Sequence, residues 1–301
     1  MVPTLAGVVL LIFFLFKLFG GDPAQILAGQ IATQEQIDSI RRELGLDQPW
    51  YVQLWIFVKE IVTFNWGQSW ITREQVSHIF LTRLPATLTI TIPILLLEAA
   101  MAIPTAMLVA YYRGTLLDRT VMAICVAAMS ISFLVYIIVG QYLFGFQLGW
   151  FPVQGWSDSF LRNLVIYAPL PILLAALVGL APQTRLYRSF FLDETKNDYV
   201  RTARAKGLSE PAILRKHVLR NALVPVVTNI SLLIPGVFVG SFLLEIFFSI
   251  PGLGREIYLA VNRSDYPVIQ AVTIYLSVLT MLINLTADVL YSFVDPRNQL
   301  R

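Results

Sequence analysis

Six apolar stretches, each near the length of a membrane crossing, constrain this chain more than any other feature. About 20 helical residues at 1.5 Å each cross the roughly 30 Å of bilayer hydrocarbon. Stretches close to that length occupy residues 3–20, 86–111, 120–145, 163–184, 223–249 and 268–291. The charges are too few for a solvated surface: 14% of the 301 residues are charged and 56% hydrophobic, against about 25% charged in ordinary soluble domains. The same numbers exclude disorder. The expected fold is all-α, a polytopic membrane protein with six transmembrane helices. Residues 1–20 form the first transmembrane helix, 21–85 an extracytoplasmic helical subdomain, and 86–301 a core with the other five.

The first stretch, VVLLIFFLFKLF, has the apolar character of a signal peptide but lacks a short basic leader and a small-residue processing site before GGDPAQ, and it reads as an uncleaved span. Basic residues then orient the spans. With the N-terminus inside, segments 112–119, 185–222 and 292–301 carry 13 Lys and Arg, and the outer segments 21–85, 146–162 and 250–267 carry 8. Positive charge is retained on the cytoplasmic side, so both termini are placed there. The net charge of +3 is thereby explained by topology. Membrane lipid is an expected partner and nucleic acid is not, because the charge lies along a membrane without a recognition fold.

The outer segment 21–85 is too long for a hairpin. Thr33 is placed to cap a helix TQEQIDSIRREL in which Ile37, Ile40 and Leu44 recur at three- and four-residue spacing, and Gly45 ends it. In the following LDQPWYVQLWIFVKEIV, Trp50, Leu54, Phe57, Val58 and Ile61 share a stripe. Trp50, Trp55, Trp66 and Trp70 suit a membrane interface. A small helical subdomain packed and anchored on the outer face follows.

On the inner side, segment 185–222 holds nine of the 22 Lys and Arg. DETKNDYVRTARAK predicts a helix that stops at Gly207, and Ser209 as N-cap with Pro211 in the first turn predicts a second. Two short helices with a glycine corner are therefore expected at about 190–222, lying across the membrane surface. Arg201, Arg204, Lys206, Arg215, Lys216 and Arg220 there can meet anionic headgroups, and a rigid corner can equally transmit force.

The run DYVRTARAKG over Asp198–Gly207, followed by HVLRNALVP, resembles the EAA-loop signature of bacterial ABC importer permeases, and more narrowly that of the dipeptide, oligopeptide and nickel permease family. GGDPA, ELGLDQPW, EIFFSIPGLGREI, RSDYPVIQ and FVDPR extend the resemblance along nearly the whole chain. The resemblance implies a type I ABC importer permease fold in the bacterial inner membrane and one subunit of an importer for peptides or related small solutes. It also implies a second homologous permease, two ATP-binding subunits that carry ATP and Mg, and an extracytoplasmic solute-binding protein. Carried onto this sequence, it makes Tyr199, Arg201, Ala203, Arg204, Lys206, Gly207, Leu208 and Glu210 the ATPase-coupling residues. Arg201 and Thr202 replace the leading Glu and Ala of the signature, and Arg220 stands where many importers have Pro.

Glu98, Glu245 and Asp288 fall within or at the ends of apolar spans, where an ionised group costs several kcal/mol unless paired or wet. Glu98 and Glu245 are candidates for the translocation path, with Pro235-Gly236 as a kink that shapes a gate at mid-membrane. Pro251, Gly252, Gly254 and Arg255 are expected at the extracytoplasmic mouth. Glycines in PGLGRE lack the Lys and Ser or Thr of a phosphate-binding loop, so no ATPase site is assigned to the chain. His78 and His217 stand apart, and the lone Cys125 supports neither a disulfide framework nor a metal cluster, so no metal or other directly bound cofactor is expected. An ion-coupled secondary transporter is the alternative transport reading, with an intramembrane enzyme or scaffold as the other class.

Overall fold

A computed structural model describes residues 2–19, 21–29, 32–63 and 65–294. Among them the chain is almost entirely helical, and its β pairing is one isolated bridge between Gln68 and Gln75. Helix α1 (Val2–Phe19) leads to three short helices, α2 (Pro23–Ala28), α3 (Gln34–Glu43) and α4 (Trp50–Val62). The long α5 (Val76–Tyr111) is followed by α6 (Leu116–Met129), α7 (Phe133–Gly140) with a π-helical extension over Gln141–Gln147, and the single-turn α8 (Phe160–Arg162). Then come α9 (Pro169–Glu194), α10 (Asp198–Ala205), α11 (Glu210–Ile213) and α12 (Leu219–Val239), the last two joined by a π-helical turn over Leu214–Val218. Helices α13 (Phe242–Phe247), α14 (Leu253–Asn262) and α15 (Tyr266–Val294) complete the fold.

Four helical segments are long and apolar enough to cross a membrane: Val76–Tyr111, Pro169–Glu194, Glu210–Phe247 and Tyr266–Thr286. A fifth requires α6 and α7 with its extension to count as one span, because they meet at 90°. The first expected span is an apolar helix over Pro3–Leu18, short of the about 20 residues a crossing needs. Length and composition thus support four or five spans directly, and the count of six depends on α1 and on the bent pair.

Helix α5 is the axis. Its Ala102, Ala106 and Ala110 let Tyr187 and Phe191 of α9 come close, the small-residue packing that membrane helices use where lipid offers no hydrophobic drive. Ala86 and Ile90 join a second cluster with Ile137, Leu170, Leu244 and Ile250, and Val76, Ile79 and Phe80 a third with Leu253 and Val268. Large side chains such as Leu81, Leu116, Phe146 and Val165 stay more than 70% exposed, an apolar exterior that calls for lipid or partner chains.

Several expected boundaries move. Helix α5 begins at Val76, inside the segment assigned to the outer subdomain, and Pro85, Pro93 and Pro104 do not interrupt it. The second inner helix does not stand alone. From residue 210 helical hydrogen bonding runs on to Val239, because Ile213, Leu214, Val218, Ala222 and Val226 form one buried stripe that crosses from the polar into the apolar segment. Pro235-Gly236 does not break the fifth span either. The break comes at Gly240, with φ +78°, and the Thr91 hydroxyl of α5 takes up the freed Val237 carbonyl at 2.7 Å.

In the outer segment, the Thr33 N–H donates to Gln36 Oε1 at 3.0 Å. Gly45 ends α3 with φ +65°, its N–H on the Arg42 carbonyl and that of Leu46 on the Arg41 carbonyl. Trp66 and Trp70 pack on Phe80 and Tyr266, whereas Trp50 and Trp55 remain exposed. The side chain of Asp288 and the Asp295–Arg297 part of the FVDPR motif lie outside the described residues.

Candidate functional site

Helix α10 sits across the ends of α5 and α9. Val200 and Ala203, three residues apart, turn inward and join the cluster around Tyr187 and Phe191. Tyr199 is half-buried, and its hydroxyl donates to Glu194 Oε2 at 2.5 Å. Burial, with that carboxylate, pushes the Tyr199 pKa up, so the hydroxyl stays a donor. The sequence-predicted set therefore divides: Tyr199 and Ala203 mount the helix, and Arg201, Arg204, Lys206, Gly207, Leu208 and Glu210 are exposed together at the corner.

Gly207 has φ +77°, with its N–H on the Arg204 carbonyl at 2.9 Å and the Leu208 N–H on that of Ala203 at 3.3 Å. This is the paired closure that glycine permits at a helix end. A Cβ at Gly207 would meet nothing within 4 Å, so the backbone angle, and not crowding, demands glycine. Across the turn the Arg204 guanidinium grips Glu210 with two bonds, Nε to Oε1 at 2.5 Å and an η nitrogen to Oε2 at 3.1 Å. Both side chains are about half exposed, and such pairs contribute about 0–1 kcal/mol; this one sets the corner's shape more than its stability. Arg201 pairs only with Asp198 on the surface. Helical structure from residue 210 to 239 makes a rod about 45 Å long that starts at this corner.

The far end of the rod meets a buried carboxylate. Glu245 is fully buried; Oε1 accepts from the Thr87 hydroxyl at 2.8 Å and Oε2 from the Arg255 N–H at 2.6 Å. The Gly254 N–H is a further donor. Thr87 in turn accepts the Leu253 N–H at 2.8 Å. Glu245 is thus a tertiary cap on the open amides of α14, where a negative group is favoured. Three glycines make room: a Cβ on Gly240, Gly252 or Gly254 would run into its carboxylate. The structure does bring Glu245, Gly252, Gly254 and Arg255 together, with half-buried Pro251 beside them. Expected on the translocation path, the Glu245 carboxylate is sealed inside protein here with its donors supplied. Gly252 and Gly254 are buried with it.

Glu98 is half-buried on α5, seated where Gly179 of α9 has no side chain and hydrogen-bonded by Gln183. Neither Lys17 nor Arg83 reaches it; Lys17 bonds Gln53 at 3.0 Å and Arg83 lies 3.7 Å from Glu256. Gly236 is exposed on an unbroken helix, and a Cβ there would meet nothing.

Sequence reasoning passed over Thr87, Gly179 and Gly240, and two further anchors. Asp118 at the start of α6 holds Arg188 of α9 at 2.7 Å. Asp265, ahead of α15, accepts from the Ser69 hydroxyl and from the Trp70 N–H at 3.0 Å, which ties the 65–75 loop to the core. The acid of RSDYP ahead of an apolar run was the signal available for the second. Among the described residues no three His, Cys, Asp or Glu cluster as a metal site.

Residues 102–299 match the family of binding-protein-dependent transport system inner membrane components, and residues 2–91 match the N-terminal family of the same membrane components. The chain is 35% identical to the di/tripeptide transport system permease protein DppB of Pseudomonas aeruginosa, over 99% of its own length and 95% of that protein. It is 36% identical to the glutathione transport system permease protein GsiC of Salmonella choleraesuis, over 98% and 95%. With the Gly207 corner mounted on a bundle of apolar spans, and both parts of the chain matched in order, this protein belongs to the inner membrane component family of binding-protein-dependent transport systems.

Proposed function

We propose that this chain is the permease subunit of an ATP-driven importer of short peptides or peptide-like solutes such as glutathione. It forms half of the pathway beside a second permease, with cargo delivered by an extracytoplasmic binding protein. The names of its relatives support the cargo class. The observation that carries the mechanism is the exposed corner at Gly207, held on α5 and α9 by Val200 and Ala203 and continuous with the rod that ends at Gly240. Two ATPase subunits, which bind the ATP and Mg, press on one such corner in each permease. A push there moves the whole rod, because a helix transmits force along its hydrogen bonds, and the positive-φ break at Gly240 lets α13 and the Glu245 cap hold position while α12 tilts. Both termini face the cytoplasm in this reading, which puts α2–α4 outside.

Site-specific crosslinking tests it. A cysteine at Leu208 is expected to crosslink to a cleft of the ATPase subunit in inner-membrane vesicles, and peptide uptake is expected to stop when it does. Crosslinking of that cysteine to the binding protein instead, or uptake that persists in vesicles stripped of ATPase subunits, would overturn the proposal.

A further inference from the structure

A cleft of about 770 Å³ lies between α1, the α2–α3 unit, α4, the 66–73 loop and the start of α15, with neither Gly207 nor Glu245 in its lining. It falls in the range of about 300–1,000 Å³ in which organic ligands are held. Its lining is two-sided. Phe16, Phe57 and Ile274 belong to α1, α4 and α15 and continue the apolar surface of the bundle. Lys17, Arg41 and Arg73 bring positive charge to the other side and Asp22, Glu43 and Glu60 negative, with Asp22 and Arg41 paired to each other. Lys17 is steered by Gln53 and by the ring of Phe13, 5.6 Å from its ammonium. Glu43, Glu60 and Arg73 are exposed, and their side chains have no hydrogen-bond or ion-pair partner among the described residues, although all three line this one space.

Two carboxylates and a guanidinium without protein partners on the polar side of an apolar cleft match a molecule with an apolar body and a head of both charges. We infer that this cavity holds one zwitterionic aminophospholipid. Its acyl chains lie along Phe16, Phe57 and Ile274, its phosphate meets Arg73 and Lys17, and its ammonium meets Glu60. Glu60 selects against a lipid of net negative charge, which the two cations alone would attract. A bound lipid of this kind fixes α1, whose apolar length is short for a crossing, to α4 and α15. The inference needs only a membrane around α1 and α15, and it stands whether or not the cargo is a peptide.

The test uses the full chain in its purified complex, reconstituted in phosphatidylglycerol vesicles doped with a trace of phosphatidylethanolamine that carries a diazirine in its acyl chain. Photolysis is expected to label peptides containing Phe16, Phe57 or Ile274. In the Glu60→Gln, Arg73→Gln double variant that labelling should fall about tenfold, equivalent to about 1.4 kcal/mol, to the level given by a diazirine phosphatidylglycerol probe. The double variant is expected to fold, since neither side chain holds another. Equal labelling by the two probes in the wild type, or unchanged labelling in the double variant, would overturn the assignment. Displacement of the label by an added tripeptide would overturn it too and give the cavity to cargo.

Discussion

The Thr87 hydroxyl lies 2.8 Å from Glu245 Oε1, across 158 positions of sequence, and accepts the Leu253 N–H at the same distance on its other side. One hydroxyl therefore joins α5 to α13 and α14. Thr87→Val keeps the shape and removes both bonds, and each buried polar group left unsatisfied costs about 1–3 kcal/mol. The expected result is a lower thermal midpoint in detergent, with Thr87→Ser close to wild type. A Val variant that melts with the wild type would show that the cap does not depend on this hydroxyl.

Glycines at Gly252 and Gly236 are expected to respond in opposite directions. Alanine at Gly252 would place its methyl within 2.6 Å of both Glu245 oxygens, and overpacking of this kind costs about 1–3 kcal/mol. Alanine at Gly236 meets open space on an unbroken helix and gains about 0.5–1 kcal/mol in helix preference. Unfolding midpoints and transport measured together check this. If Gly236→Ala abolishes transport while keeping stability, the hinge returns from Gly240 to Pro235-Gly236.

What the sequence revealed was local. The ends of α3 and α10 were legible in Gly45 and Gly207, because a helix stop is decided by a few neighbouring residues and a glycine that accepts positive φ. Long-range partners were not: nothing near Glu245 announces Thr87, and a carboxylate in an apolar stretch looks the same whether it lines a channel or caps a helix. Proline misled the reading of α12, since a membrane helix tolerates it; the break falls at Gly240 instead, where Thr91 takes up the freed Val237 carbonyl. The 90° turn between α6 and α7 carries only Ser130-Ile131-Ser132, with neither Gly nor Pro to mark it.

Acid should loosen the α2–α3 unit. Burial alone would raise the Asp22 carboxyl pKa, but hydrogen bonds from Arg41 and the Ala24 N–H outweigh it and hold the group below its ordinary 3.8. A carboxylate with a depressed pKa stabilises the fold above its unfolded value and loses that contribution as pH falls through the folded one. Amide exchange over residues 24–41, corrected for intrinsic rates, is expected to quicken as pH drops below 3.8. Asp22→Asn should show the fast exchange already at neutral pH and lose the acid step.

The Asp118–Arg188 pair offers a buried counterpart. Its oxygen Oδ2 accepts from Arg188 at 2.7 Å and from the Gly114 N–H at 2.8 Å, with the Asp118 side chain only 7% exposed. Removing one member of such a pair leaves a stranded charge and costs about 3–5 kcal/mol. Arg188→Gln is therefore expected to be severe, and adding Asp118→Asn should restore part of the loss. A double-mutant cycle on unfolding midpoints measures the coupling, and strict additivity would refute it.

Gly207 separates folding from coupling. Holding a residue with a side chain at φ +77° costs about 1–2 kcal/mol, less for asparagine, which tolerates this region. The space around Gly207 is open, so Gly207→Val changes the corner without disturbing the core of Val200 and Ala203. The Val variant is expected to insert and melt nearly as the wild type, yet to lose ATPase crosslinking through Leu208 and peptide-stimulated ATP turnover. Gly207→Asn should retain both in large part. Because the two substitutions share a lost glycine and differ in how well they hold the turn, equal activity in both would mean that the corner's backbone angle plays no part in transmitting the stroke.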